Sequence, residues 1–516
     1  MQEKFDPISN EELEAREARL AGLPKGQLAQ EVNDAHAEAN LLYGRNFYQQ
    51  AELETDPEFK EDLFLALKVA ELAKAEGGLA LVVGGFTRDE ALKRFGQNVA
   101  SKDTDIEVYG VPFVRLQEIL KSLGEINIVG ASFGVVKLGG LDISIPRRDS
   151  KTGLGHKGFT VEGDPNMTVE EAARRRDFTM NSLALDPLTG EIIDKFGGMA
   201  DIQKKVLRAT DPKTFVEDPL RVLRAMQFAG RFGFTVESET LELCRSLDLS
   251  ELAKERVGEE WNKLLLKSPK PSVGLNAGRE MGVISKLHPE LNALIDVPQE
   301  KEWHPEGDVW IHTGMVVDAA AEISRRENLK GQDMQVVMLA SLCHDLGKPA
   351  TTEVRKSDGR IISHSHSEAG LEPTQKFLES LKVPHDIIKK ILPLVAEHLW
   401  PSLNKNPSDT AVRRLAHRLH PATIKELVMV GEADHRGRDL PWHGYPEGEV
   451  LLQHADRLEV GVEKPKPLVQ GRDLLLLGLK PGSAFKPILN MLFEAQLEGK
   501  FHTTKEGVEY YKSLKE

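Results

Sequence analysis

The sequence has only two cysteines in 516 residues, Cys244 and Cys343, and they stand far apart. Their scarcity excludes a disulfide framework and a CxxC zinc pattern, and points to a reducing cytoplasm. Long apolar runs are also lacking. None approaches the length that spans a bilayer, and the acidic N-terminus does not resemble a signal peptide, so no membrane partner is expected. Nor is there an excess of positive charge. The formal net charge of -14 argues against a general nucleic-acid coat protein, although a local basic groove remains open. No internal repeat is found. What is present, 40% hydrophobic and 29% charged residues, describes a globular protein, and the length implies several domains.

The chain is organised around the stretch from Leu79 to Tyr109. Leu79 to Val83 form a short buried-strand signal, which Gly84 and Gly85 break. Arg88, Asp89 and an apolar-periodic run open a helix behind them. A second strand is expected from Lys102, with Asp103, Asp105 and Glu107 on one face and Ile106 and Val108 on the other. Carboxylates on one strand face, beside a glycine turn and a helix N-terminus, suit metal-bound phosphate. Gly85 lets backbone N–H groups approach a triphosphate, and the Arg88 fork reaches phosphate oxygens. The alternative for Arg88 is a helix-surface ion pair with Asp89 or Glu90.

Residues 1–62 read as an acidic helical or disordered extension without visible chemistry. Leu65, Val69 and Leu72 then recur at helical spacing up to Gly77-Gly78. A helix is expected over Phe113–Leu123, and two strands around Gly139-Gly140. In the second, Leu141, Ile143 and Ile145 share a face opposite Asp142 and Ser144, so Asp142 is a candidate third acid. Arg147 to Pro165 reads as a mobile glycine- and lysine-rich loop. Thr168 and Glu171 form a capping box ahead of Arg174, Arg175 and Arg176. A hairpin is expected around Pro187–Gly190. Beyond Asp194 the chain reads almost wholly helical. Asp218-Pro219 fits an N-cap with proline at the first helical position. Arg221, Arg224, Phe228 and Arg231 then form one stripe, and Val222, Met226 and Ala229 another. Polar breaks at 298–307 and 441–448 mark boundaries. The organisation expected is a head over 63–194, a helical neck over 195–297, a His/Asp-rich helical domain over 298–440 and a helical tail over 441–516. Leu474 to Leu477 in that tail read as core.

Four ordered motifs resemble those of bacterial tRNA nucleotidyltransferases, the CCA-adding enzyme family, whose head is shared with bacterial poly(A) polymerases. GGFTRD with KDTDIE resembles its first catalytic motif and RRDFTMNSLALD its ribose motif. DKFGGMADIQKKVLR resembles its hinge, and EDPLRVLRAMQFAGRFGF its base-reading motif. The resemblance implies an α/β head built as a DNA polymerase beta-like nucleotidyltransferase palm with a mixed sheet, then an all-α neck. It implies magnesium held by Asp103 and Asp105, with Asp142 as a further catalytic acid. Nucleotide would be bound by Gly84, Gly85, Arg88, Arg176, Asp177 and Asn181, and its base read by Asp218 and Arg221 with Arg224 beside them. The implied partners are tRNA, CTP and ATP. One departure is Gln227-Phe228-Ala229, where the family commonly has Arg-Phe-Ala; altered packing or RNA contact is expected there.

The ordered set His312, His344-Asp345, His366, His398 and Asp434 resembles the HD phosphohydrolase superfamily. His312, His344, Asp345 and Asp434 would hold one divalent metal (Mg, Mn, Ni or Fe), and His366 and His398 would serve a second metal or phosphate. His364 fits less well than His366, His304 and His435 have no assigned role, and Cys343 reads as a buried apolar residue. The main reading is therefore a CCA-adding enzyme with a phosphohydrolase site. A poly(A) polymerase or an A-only or C-only enzyme is its neighbour. A metal phosphohydrolase with an RNA-binding head, and a non-catalytic RNA-binding protein, are readings from other classes.

Overall fold

A computed structural model describes residues 54–97, 99, 104–129, 134–151 and 159–514, together with Phe47 and Ala51. The chain divides into two compact units, Met1–Glu217 and Asp218–Glu516.

In the first unit, helix α1 (Pro57–Ala75) is started by Asp56, whose carboxylate accepts from the N–H groups of Glu58 and Phe59, and by Pro57 in its first turn. It begins before the apolar periodicity, because the cap lies in the acidic stretch. Its buried stripe is Leu63, Ala66, Val69, Ala70 and Ala73. Strand β1 (Leu79–Val83) follows, then α2 (Gly85–Arg94), β2 (Thr104–Tyr109), α3 (Phe113–Leu120), β3 (Asn127–Val129), β4 (Val135–Leu138) and β5 (Leu141–Ser144). Strands β6 (Arg147–Lys151) and β7 (Phe159–Gly163) pair as an antiparallel hairpin. The mobile loop expected between Arg147 and Pro165 is thus corrected to a hairpin. Its first strand, Arg147–Lys151, has no apolar residue, so the ladder of backbone groups that pairs it with Phe159–Gly163 is not announced by hydrophobic alternation on both sides. Helix α4 (Val169–Arg174) carries the capping box of Thr168 and Glu171. Strands β8 (Ala184–Leu185) and β9 (Ile192–Ile193) close the expected hairpin.

Seven strands form one mixed sheet in the order β3-β4-β5-β2-β1-β8-β9, with β2 and β5 parallel and the other described pairs antiparallel. The uninterrupted apolar run of β1 fits its central place, since a strand covered on both faces does not alternate. In β2, Ile106 and Val108 are buried while Asp105 is exposed.

The second unit is helical. The helices that matter for its sites are α5 (Leu220–Phe232), α6 (Lys254–Lys267), α7 (Pro271–Glu280), α8 (Val309–Arg326), α9 (Gly331–Cys343), α10 (His385–Glu397) and α11 (Ile424–Arg436). A small hairpin, Thr352–Val354 against Ile361–Ser363, interrupts the helical pattern. In the tail only Leu474 of the expected core run is fully buried; Leu475 is 49% and Leu476 87% exposed. Successive helix residues are about 100° apart, so four in a row spread over most of a turn and one buried face cannot hold them all.

A buried histidine ties this unit together. His288 Nε2 accepts from Trp261 Nε1 at 2.9 Å, and both rings pack against Phe377. Burial pushes His288 down to about 3, against about 6.5 in an unfolded chain. The unfolded state therefore binds the extra proton first, and stability held above pH ~6.5 is lost as pH falls toward 3. Chemical denaturation of wild type and His288→Gln across this window should show a shallower acid limb for the variant, by about 1.4 kcal/mol per pH unit. Superimposable limbs would rule out His288 as the source.

Candidate active sites

The head site is set by strand register. Val83 on β1 stands opposite Asp105 on β2, and Asp105 stands beside Asp142 on β5. Paired residues share a sheet face, so Asp105 and Asp142 lie together, with Glu107 two residues along. Asp142 also receives Lys137 Nζ at 2.7 Å. Asp103 lies outside the described residues.

Above these acids the chain turns sharply. Gly84 has φ 73°, and a Cβ on it would stand 3.1 Å from Asp105 Oδ2 and 3.8 Å from Arg176 Nη1. Glycine supplies both the left-handed φ and the close approach. Helix α2 starts at Gly85 without a side-chain cap, so its first N–H groups are left for other acceptors. Arg88 is buried. Its Nε donates to Asp89 Oδ1 at 2.8 Å and its Nη1 to Asn181 Oδ1 at 3.1 Å. The ion pair with Asp89 offered by the sequence exists, but in the interior rather than on the helix surface. Asn181 Nδ2 in turn donates to Asp177 Oδ1 at 2.9 Å, and so does Phe178 N at 2.8 Å. One buried network therefore joins the glycine turn to the RRRDFTMN segment. Of its three arginines, Arg174 pairs with Glu170 and Asp211 and Arg175 donates to the Arg147 carbonyl. Arg176 turns to the carboxylate face, with Nη2 3.4 Å from Glu107 Oε2.

In the second unit, Asp218 precedes α5 by two residues. Helix α5 starts at Leu220 with Pro219 as its cap, one residue later than expected. Asp218 still bridges the first turn, its Oδ1 accepting from Leu220 N at 3.1 Å. Its other oxygen receives Arg256 Nη2 from α6 at 3.0 Å. Val222, Met226 and Ala229 are fully buried, and Arg221 and Arg224 are half-buried. Phe228 departs from the expected stripe by being buried, with Arg224 stacked 5.2 Å over its ring. Gln227 is buried as well, and its Nε2 has no hydrogen-bond partner.

The histidine site draws on five elements. His312 sits in the first turn of α8, which is capped by Asp308. His344 and Asp345 follow the end of α9, His366 opens a short helical turn, His398 caps α10, and Asp434 lies on α11. All six are buried. His344, His366 and His398 each place Nδ1 2.7–2.8 Å from the carbonyl three residues earlier, those of Ser341, Ser363 and Val395. That bond keeps the proton on Nδ1 and turns the Nε2 lone pair inward. The inward atoms crowd together. His312 Nε2 is 3.4 Å from His344 Nε2 and 3.1 Å from Asp434 Oδ1, and His366 Nε2 is 3.4 Å from His398 Nε2. Asp345 joins the two groups, with Oδ2 3.1 Å from His344 and Oδ1 3.3 Å from His366. Lone pairs facing at this distance repel, whereas a cation between them is bound by all. The donor set therefore fits metal ions.

The charges are arranged to match. Burial alone would raise Asp345, but His344 and Lys348 beside it hold its carboxyl well below the usual range. Burial likewise opposes ionisation of Asp434, and Arg438 and His312 hold it down. Burial, with His344 and His366 adding to it, lowers His398 to about 3 and keeps it neutral.

Three contributors escape the sequence. Lys348 Nζ bonds Asp345 Oδ2 at 2.7 Å and Gln299 Oε1 at 2.8 Å. Glu306, from the polar break before α8, places Oε1 2.8 Å from both His304 Nδ1 and His312 Nδ1. Arg438 approaches Asp434 Oδ2 at 3.5 Å. The one available signal was closeness in sequence to the ligands. His364 is exposed, and His435 packs against Trp442 and Tyr445. Because the Glu306 carboxylate lies 2.8 Å from His312 Nδ1, on the side of the ring away from Asp434, Glu306→Gln should weaken metal binding about 10- to 100-fold. Titration of the metal-free protein with Mn²⁺ checks this, and an unchanged affinity would remove Glu306 from the site.

Comparisons with known proteins match the domains that carry both sites. Residues 80–208 match the family model described as "Poly A polymerase head domain", residues 233–295 that described as "Probable RNA and SrmB- binding site of polymerase A", and residues 309–460 the HD domain. A multifunctional CCA protein of Xanthomonas campestris pv. campestris is 37% identical over 396 residues, covering 73% of this chain and 90% of the relative. One from Stenotrophomonas maltophilia is 36% identical over 414 residues, covering 77% and 94%. In fold, the chain resembles the Bacillus stearothermophilus CCA-adding enzyme in complex with CTP, with a TM-score of 0.59 at 23% identity over 89% of this chain and 99% of that one. It also resembles the Thermotoga maritima CCA-adding enzyme complexed with tRNA, with a TM-score of 0.56 at 19% identity over 92% and 99%. No described helix is long and apolar enough to cross a membrane. The chain belongs to the tRNA nucleotidyltransferase (CCA-adding enzyme) and poly(A) polymerase family, in the form that carries an HD domain.

Proposed function

We propose that this chain adds C, C and A to tRNA 3′ ends from CTP and ATP, and that its HD site hydrolyses phosphate esters. The observation that carries the first part is the register placing Asp105 beside Asp142 under the Gly84 turn. Asp103 and Asp105, with Asp142, would hold magnesium, which when bound would activate the RNA 3′-hydroxyl and neutralise the pyrophosphate. The uncapped N–H groups at the start of α2 receive the triphosphate. Arg176 reaches it from the carboxylate face, while Arg88, Asn181 and Asp177 hold the two segments in place. Asp218 and Arg221 bond the edge of the incoming base, with Arg224 beside them. A base that leaves such groups unpaired costs about 1–3 kcal/mol for each. Arg256 fixes the Asp218 carboxylate for that task.

At the second site, His312, His344, Asp345 and Asp434 would hold one divalent ion (Mg, Mn, Ni or Fe), and Asp345, His366 and His398 would hold a second. The head, neck, HD and tail assignments at 63–194, 195–297, 298–440 and 441–516 go with this reading, as do a tRNA-holding tail and a cytoplasmic location. Named complexes of CCA-adding enzymes with CTP, ATP and tRNA support it by relationship. The test is incubation of folded protein with magnesium, a tRNA lacking its 3′ end and labelled CTP or ATP. Incorporation of C from CTP is expected, and of A once C is in place. No incorporation at all would sink the proposal.

A further inference from the structure

We propose that Arg438 is the residue that grips the phosphate group of the substrate at the HD site. The inference rests on the reading of that site as a metal phosphohydrolase. Arg438 lies just past α11, four residues after Asp434. Its exit from the helix is fixed by Gly437. A Cβ there would stand 2.3 Å from Val316 Cγ2 and 2.9 Å from Val316 N, so the backbone is pressed against α8, the helix that carries His312. The guanidinium is thereby directed along the metal-ligand cluster. Its Nη2 stands 3.5 Å from Asp434 Oδ2, while Asp434 Oδ1 faces His312 Nε2 at 3.1 Å. One carboxylate thus separates the arginine from the metal position.

Two features point to an anion. First, Arg438 is only 18% exposed and its Nε is buried with no hydrogen-bond partner, and the contact to Asp434 is long. A guanidinium carries five N–H donors, and a counter-ion role alone would leave most of them unused. A tetrahedral phosphate has the acceptor oxygens to take two in parallel. Second, the charge balance reverses when metal enters. Glu306, Asp345 and Asp434 outweigh Lys348 and Arg438 by one negative charge. A single divalent ion makes the buried cluster net positive, and a second makes it more so. Arg438, whose contact to Asp434 is long, is then repelled by the metal-loaded cluster unless an anion is present. Lys348 is held by Asp345 and by Gln299, whereas Arg438 Nε has no hydrogen-bond partner, which makes Arg438 the better placed of these two cations to bind a ligand. The class of ligand is a phosphate monoester, which water cleaves to the free alcohol and inorganic phosphate.

The test uses the full chain loaded with Mn²⁺, titrated with inorganic phosphate by calorimetry, with bound manganese measured by atomic emission. Arg438→Gln should raise the phosphate Kd at least about tenfold with manganese content unchanged. Arg438→Lys, which keeps the charge but not the fork, should fall between the variant and wild type and covers a failure of Arg438→Gln to fold. An unchanged phosphate Kd, or a loss of manganese in step with phosphate binding, would overturn the proposal and leave Arg438 as a counter-ion of Asp434. If wild type itself holds no manganese, the metal-site reading fails and this inference falls with it. Manganese bound normally with phosphate affinity insensitive to Arg438 sinks the inference alone.

Discussion

Replacing Asp105 by Asn should lower nucleotide addition by about 10³-fold, equivalent to roughly 4 kcal/mol of transition-state stabilisation, and leave hydrolysis at the HD site intact. Asp105 is the described acid that meets both requirements of the head site. It is exposed on β2, and the Gly84 turn closes directly over its Oδ2. Asn keeps the shape and removes the charge that a divalent ion needs, so the strand and the turn should persist. The single-turnover rate with saturating CTP and trimmed tRNA is the appropriate measurement, because it isolates chemistry from product release. A variant within tenfold of wild type would remove Asp105 from the metal-holding role. Asp142→Asn should cost less, since Lys137 already occupies one of its oxygens.

The converse result is expected at Asp345. Asp345→Asn should lower divalent-metal affinity more than about 100-fold, beyond the loss typical of a residue behind the ligands, and abolish phosphate-ester hydrolysis. Its two oxygens face different histidine groups, Oδ2 toward His344 and Oδ1 toward His366, so one substitution damages both halves of the site. Nucleotide addition should stay within about twofold of wild type, because Asp345 is distant in sequence from the head motifs and belongs to the other compact unit. Manganese content and both activities, measured on the same preparation, decide the matter. Full metal occupancy in Asp345→Asn would contradict the bridging geometry. Collapse of nucleotide addition together with metal loss would contradict the independence of the two centres.

Much of this was legible in the residues, for identifiable reasons. The alternation of Asp105 and Glu107 with Ile106 and Val108 has the period of a strand, so the polar face was readable, and Gly84 marked the turn. The pairing that sets Asp142 beside Asp105 follows from the same logic on a second strand, although its parallel partner is not encoded locally. Turns, caps and hairpins are short-range chemistry, as with the capping box of Thr168 and Glu171. What escaped depends on long-range packing. The β6–β7 ladder pairs backbone groups of a first strand that has no apolar residue. Leu475 and Leu476 look like core until the helix geometry divides them from Leu474. Lys348, Glu306 and Arg438 matter through the atoms they approach, and an isolated charged residue in sequence most often denotes a solvated surface. Arg88 shows the same limit, because its partner Asn181 lies 93 positions away.

The central claim, that a protein surface selects CTP and ATP to build a defined RNA end, is tested most directly by sequencing the product. A trimmed tRNA would be incubated with magnesium and all four nucleoside triphosphates, and its 3′ ends read individually. The account predicts extension by C, C and A followed by arrest. Long runs of A, or G and U incorporated at comparable frequency, would contradict it.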